Sequence, residues 1–253
     1  MVVRAGRLVL IWGMTPDNSK INTIYEKIFK MTLKKKIKIL IIDFGNSGNK
    51  TIETVKKYEE RFNIYKDYHI SIKQLDYDYA KSDISYLNRR FKETDVIWLW
   101  WGNPITLKKR LIETNCYNKI INNMKINKKI VVGNSAWGVI FFKKYIKSID
   151  NKLAINGNNQ YTHKVYSGFW LFKELWTAHF TERKRQEHLE TFSKQYKITW
   201  IGIDEKAAII INFQPKNKSI ENISANKKWS IWIYNPEIKI LRKLKREQKD
   251  FIT

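Results

Sequence analysis

Unbroken apolar runs alternate along the chain with longer segments in which apolar residues recur every three or four positions. The runs are residues 7–12, Lys38-Ile39-Leu40-Ile41-Ile42, Val96-Ile97-Trp98-Leu99-Trp100 and Lys129-Ile130-Val131-Val132. Each has the length of a strand, and an unbroken apolar run reads as a strand buried on both faces. His69 to Leu75 alternates polar and apolar positions and predicts another strand. Helical spacing occupies Ile21 to Met31, Thr51 to Phe62, a stretch through Ile84, Leu87 and Phe91, and Ile105 to Ile121. Strand followed by helix, repeated, predicts βαβ units, whose right-handed crossovers build a parallel sheet covered by helices. The expected fold is therefore α/β, a doubly wound and mainly parallel sheet with helices on both faces. Such sheets bind their ligands beyond the carboxyl ends of the strands, so chemistry is sought there.

After about residue 150 the rhythm changes. A polar loop precedes a helix expected around 182–196, and short strands follow at Trp200 to Ile203, Ala207 to Phe213 and Trp229 to Tyr234. These are expected to extend the same sheet or to cap its edge. No Pro/Gly/Ser-rich linker divides the 253 residues, which reads as one domain over 1–253 with a basic tail from about 240.

Composition narrows the function classes. Hydrophobic residues make up 43% and aromatics 14%, too much for a disordered chain, so most of the length is expected to be packed. No apolar run approaches the roughly 20 residues that span a bilayer, and no signal-peptide pattern opens the chain. With Cys116 as the single cysteine there is no internal disulfide and no thiol cluster for a metal. The expectation is a cytoplasmic protein without a cofactor or metal. The net charge of +24 raises nucleic acid as a partner on charge alone, and a small anionic substrate equally. Its densest runs, Lys34-Lys35-Lys36, Lys108-Lys109-Arg110 and Arg242 to Lys249, read as solvated faces or tail. No recognised nucleic-acid module accompanies them.

The candidate chemistry begins directly after the last of the unbroken runs. Gly133-Asn134-Ser135-Ala136-Trp137-Gly138 is followed by a run, Val139 to Tyr145, read as helical. A serine on a tight strand-to-helix turn stands exposed above the sheet edge, where backbone N–H groups can stabilise an oxyanion. A serine that merely caps a helix gives the same pattern, so the turn alone does not decide.

Three ordered blocks decide more. They are Trp98-Leu99-Trp100-Trp101-Gly102-Asn103, the Gly133-Asn134-Ser135-Ala136 turn, and a third set. That set runs Ser167-Gly168-Phe169-Trp170-Leu171-Phe172, His179-Phe180-Thr181-Glu182-Arg183-Lys184-Arg185 and Gly202-Ile203-Asp204-Glu205-Lys206-Ala207-Ala208. Together they resemble the cyanophycinase and dipeptidase E group of serine peptidases, peptidase family S51. That group has a strand ending in Gly-Gly-Asn, a Gly-x-Ser-Ala-Gly elbow, His-Phe-x-x-Arg-x-Arg and Gly-Ile-Asp-Glu-x-x-Ala. The resemblance implies a flavodoxin-like, class I glutamine amidotransferase-like sheet. It also implies Ser135 as nucleophile, His179 as base, and Asp150 as the third member of the triad, with Glu205 as the alternative acid. Gly102 and Ala136 would supply the oxyanion hole, and Asn103, Arg183 and Arg185 would bind substrate through charge-assisted contacts.

Departures from the group's pattern fall around the site. Trp101 stands where the group has a second glycine, Pro104 where it has glutamine, and Trp137 where the elbow has its second glycine. Thr177-Ala178 replaces Asp-Gln before the histidine, and His188 replaces the last arginine. Cyanophycin is accordingly not the expected substrate. The expectation is a serine-type exopeptidase or amide hydrolase acting on small aspartyl or isoaspartyl peptides through an acyl-enzyme. The alternative is a catalytically inactive member serving as a binding or scaffold module, and a homodimer is left open.

Overall fold

The computed structural model describes residues 6–12, 21–45, 50–100, 102–134, 136–150, 161–178, 180–181, 185–204, 206–213, 218–224, 230–237 and 240–252. In chain order the first elements are β1 (Gly6–Ile11), α1 (Asn22–Thr32), β2 (Lys36–Ile42), α2 (Lys50–Phe62) and β3 (His69–Leu75). They continue with α3 (Tyr77–Ser82), α4 (Ile84–Lys92), β4 (Val96–Leu99), α5 (Pro104–Glu113), α6 (Cys116–Lys125), β5 (Ile130–Asn134) and α7 (Ala136–Val139). There follow β6 (Phe142–Asp150), β7 (Tyr161–Ser167), β8 (Phe172–Ala178), α8 (Gln186–Tyr196), β9 (Trp200–Ile203) and β10 (Ala208–Phe213). The last are β11 (Lys218–Asn222), β12 (Ile231–Asn235), β13 (Ile240–Leu244) and β14 (Lys249–Ile252).

Two compact units result. The first comprises residues 1–138, 206–230 and 244–253, the second 139–205 and 231–243. The first holds an eight-stranded sheet in the order β14-β11-β10-β1-β5-β4-β2-β3. Its five strands from β1 to β3 run parallel, while β10, β11 and β14 are added antiparallel on the β1 side. This is the α/β doubly wound architecture expected from the alternating runs. The strands β4 and β5 are buried at every position, which is why they read as unbroken apolar runs.

One face of this sheet is an aromatic core. Tyr25 and Phe29 of α1 and Tyr58 and Phe62 of α2 pack on Val9, Ile39, Ile41, Val96, Trp98 and Val132. The Phe62 ring lies 5.2 Å from Tyr25, 5.1 Å from Phe29, 5.2 Å from Tyr58 and 5.5 Å from Trp98, centroid to centroid. Such edge-on and tilted pairs add to the area that each ring removes from water.

The second unit holds a six-stranded sheet, β13-β12-β9-β8-β6-β7. The strands β6, β8 and β9 are parallel, with β7 and β12 antiparallel to their neighbours. Its core gathers Leu175, Phe180, Leu189, Trp200 and Tyr234.

Several sequence expectations are corrected. The run Val139 to Tyr145, read as helix, is one short turn of α7 followed by strand β6. Of the late strands, β10 extends the first sheet as expected, but β9 and β12 belong to a separate one. The helix expected over Ile105 to Ile121 is two helices, broken where Asn115 adopts a left-handed φ of 55°. The segment from about 240, expected as a basic tail, carries β13 and β14. Among the described residues no helix is long and apolar enough to cross a membrane.

Truncating Phe62, which is 2% exposed, empties the centre of the aromatic core. Phe62→Ala is expected to lower the unfolding free energy by about 3–5 kcal/mol and Phe62→Leu by less than about 1.5 kcal/mol, read from denaturant midpoints.

Candidate functional site

Strand register sets the edge at which the candidate nucleophile stands. Ile11 of β1 lies opposite Asn134 of β5, Leu99 of β4 opposite Gly133, and Ile42 of β2 opposite Leu99. All four strands run the same way, so Asn134, Leu99, Ile42 and Ile11 end at one edge. Ser135 itself lies outside the described residues. Its chain neighbours do not, and Asn134 closes β5 while Ala136 opens α7. With only four residues, α7 offers little of the helix dipole that a longer elbow helix would bring.

The loop after β4 approaches the loop after β2 very closely. A Cβ on Gly102, whose φ is +156°, would fall 2.4 Å from the Cα of Gly45, so no side chain fits there. The Asn103 N–H donates to the Gly45 carbonyl at 3.1 Å, and Trp100 N–H donates to the Ile42 carbonyl at 3.0 Å. The guanidinium of Arg110 donates to the Phe44 carbonyl at 3.1 Å and stacks 4.9 Å from the Tyr77 ring centroid. This basic run, expected as a solvated face, thus contributes one arginine to holding the β2 loop. Hydrogen bonds among the described residues leave the Gly102 N–H unused. That is the group assigned to the oxyanion hole, three residues past the end of β4, the strand adjacent to β5.

Asn103, assigned to substrate, caps α5 instead with its side chain, Oδ1 accepting from the Ile105 N–H at 2.9 Å. Pro104 follows as the first helical residue, where a missing N–H costs nothing. The buried Asn134 side chain hydrogen-bonds the hydroxyl of Tyr58, which also accepts from the Trp98 indole N–H at 3.2 Å. Burial, first, and the neighbouring Tyr25 push the Tyr58 hydroxyl well above its ordinary pKa. It therefore stays neutral and serves as a fixed anchor beneath the residue that precedes Ser135. Sequence reading missed this anchor, whose signal was only a polar residue closing an apolar strand.

The second unit carries the other motif residues. His179, Arg183 and Glu205 lie outside the described residues. Asp150, read from the sequence as opening the polar loop after about residue 150, instead ends strand β6 opposite Tyr161 of β7. Arg185 is 3% exposed, and its Nη1 donates to the Thr177 hydroxyl at 2.8 Å. The Trp101 position and the side chain of Trp137, on which crowding of the site turns, also lie outside the described residues. The structure thus ends β5, one residue before position 135, and β4, three residues before Gly102, at one sheet edge. The segments flanking His179 and Glu205 meet in the second unit, as detailed below.

Cys116 offers no rival nucleophile. It is buried in α6, and burial pushes its thiol up to about 12. Among the described residues no group of three His, Cys, Asp or Glu could hold a metal ion.

The chain matches peptidase family S51 over residues 8–217. No curated protein gives a significant sequence match. Among solved structures, it is similar to a peptidase from an acI-B1 Actinobacterium at 16% identity, covering 98% of this chain and 97% of that one, with a TM-score of 0.64. It is also similar to a protein assigned as peptidase E from Listeria monocytogenes EGD-e, at 16% identity, 87% and 100% coverage and a TM-score of 0.55. At that identity the two structures bear on the fold.

Two outcomes test the site's surroundings. Tyr58→Phe removes the acceptor of a buried indole N–H and is expected to lower stability by about 1–3 kcal/mol in thermal or denaturant unfolding. The Cys116 thiol is expected to resist a thiol reagent at pH 8 until the protein unfolds. Because its folded pKa lies above its ordinary value of 9.0, the stability it contributes is complete below pH 9 and is lost as pH rises towards 12.

Proposed function

The chain belongs to peptidase family S51, and from that premise we propose that it is a serine-type exopeptidase or amide hydrolase acting on small aspartyl or isoaspartyl peptides. Ser135 is the nucleophile and His179 its base, with Asp150, or alternatively Glu205, orienting the imidazole. The observation that supports the reading is the register of β1, β5 and β4, which ends Asn134 of β5 and Leu99 of β4, the residues that lead to position 135 and to Gly102, at one carboxyl edge.

In the first half-reaction His179 takes the Ser135 hydroxyl proton as Oγ bonds to the scissile carbonyl carbon. The carbonyl oxygen becomes an oxyanion held by the N–H groups of Gly102 and Ala136, each such donor worth about 3 kcal/mol. Collapse breaks the C–N bond, and the departing amine takes the proton from His179. Water then gives a proton to His179 and adds to the acyl carbon, and Ser135 leaves with that proton restored. No metal or cofactor enters these steps. The net charge of +24 and Arg183 support an acidic substrate. Arg185, bonded to Thr177 inside the second unit, supports it less.

Purified protein is expected to hydrolyse aspartyl or isoaspartyl dipeptides, with Ser135→Ala slower by at least about a thousandfold. A fluorophosphonate probe is expected to label Ser135 in the wild type. Equal rates in the two proteins, or no labelling, would leave an inactive binding module as the reading.

A further inference from the structure

The chain on both sides of position 179 is held by contacts that the proposed reaction does not use. Ala178, just before it, pairs with Ile203 at the end of the β8–β9 ladder. Phe180, just after it, donates its N–H to the Ile203 carbonyl at 3.2 Å and accepts the Arg185 N–H at 3.0 Å. The Phe180 ring is buried, 5.1 Å from Trp200 and 5.4 Å from Trp232, centroid to centroid. Directly beneath it lies Gly202, where a Cβ would come within 2.7 Å of the ring.

Thr181 is held from the same strand end. Its hydroxyl donates to Oδ1 of Asp204 at 2.6 Å and its N–H to the same oxygen at 3.3 Å. Asp204 is 6% exposed, whereas Thr181 is exposed. A buried carboxylate fixing an exposed threonine does little for the hydrophobic core. Its effect falls on the backbone of the turn that carries residue 179.

We propose that Thr181 and Asp204, with Gly202 beneath Phe180, are positioning residues that set the orientation of the His179 imidazole. The proposal rests on His179 being the base. It gives a physical role to a motif in which the histidine segment and Gly202-Ile203-Asp204 are distant in sequence. Errors of an ångström in placing a reacting group cost up to about a hundredfold in rate. Two hydrogen bonds and one close contact just after position 179, with the Ala178–Ile203 pairing just before it, suit that demand.

The test compares wild type with Thr181→Val, which keeps the side chain's shape and loses its hydroxyl, and with Thr181→Ser, which restores it. One readout is the rate of fluorophosphonate labelling at Ser135 as a function of pH. The other is the imidazole NMR signals of His179, assigned by their loss in His179→Gln, with His69 of the first unit as internal control. Thr181→Val is expected to slow labelling about 10- to 100-fold and to move the His179 signals while those of His69 stay. Thr181→Ser is expected to return both to wild type. Labelling at the wild-type rate with unmoved His179 signals in Thr181→Val overturns the proposal. If the wild type does not label at all, the hydrolase reading falls, and the His179 signals alone decide positioning. Moved signals then uphold it, and unmoved signals overturn it. Should Thr181→Val not fold, Thr181→Ala at this exposed position serves the same comparison.

Discussion

β5 runs between β1 and β4 with both neighbours parallel to it, and the other features of the first unit depend on that pairing. A parallel ladder fixes which residue stands beside which, and a slip of one position would turn each buried side chain to the opposite face. In β4 and β5 both faces are covered, so a slip would gain nothing on one side and misfit the other. Register and burial therefore specify each other. The consequence is that Ile11, Ile42, Leu99 and Asn134 must end at a common edge, and the segments that leave them must emerge together. The nucleophile proposed one residue beyond Asn134 would need no special device to be presented there.

The aromatic core extends this constraint to the edge. Phe62, Tyr25 and Trp98 hold Tyr58 among them, and the Tyr58 hydroxyl holds Asn134. A neutral phenol is suited to that place. An ionised group would need a partner charge, and an apolar one would leave the indole N–H of Trp98 without an acceptor. In the loops after β2 and β4 the Gly45 and Gly102 backbones meet closely enough to forbid a Cβ, so the path there is set by contact and not by a long-range charge. Packing, more than electrostatics, fixes these described residues at the carboxyl edge.

The parallel half of the fold was legible because burial on both faces writes itself as unbroken apolar runs. The same code failed at Val139 to Tyr145, where seven residues fit a buried strand or a buried helix equally and the strand β6 was formed. It failed also over Ile105 to Ile121, where apolar spacing passes through the break at Asn115 without interruption. The strands near the C-terminus were hidden by a run of lysines and arginines, among them Lys243, whose ammonium lies 4.8 Å from the Trp232 ring centroid. At the site, motif spacing identified which residues to watch. It said nothing of Tyr58, whose link to Asn134 spans 76 positions in sequence and exists only once α2 lies on the sheet.

Residues of the resemblance whose contacts are described turn out to act largely on the scaffold. Asn103 caps a helix, Arg185 bonds Thr177 in the interior, and Phe180, Gly202 and Asp204 hold one turn. The partners of these residues lie within the same unit and do not depend on what is bound. In the proposed function, substrate choice would then rest on fewer positions, chiefly Arg183 and the residues at 101 and 137, where tryptophan stands in place of the glycine of the resembled motifs. A change from glycine to indole narrows the room for a substrate's backbone without touching the scaffold contacts. On the proposed reading, the two sets of positions can therefore change independently of one another.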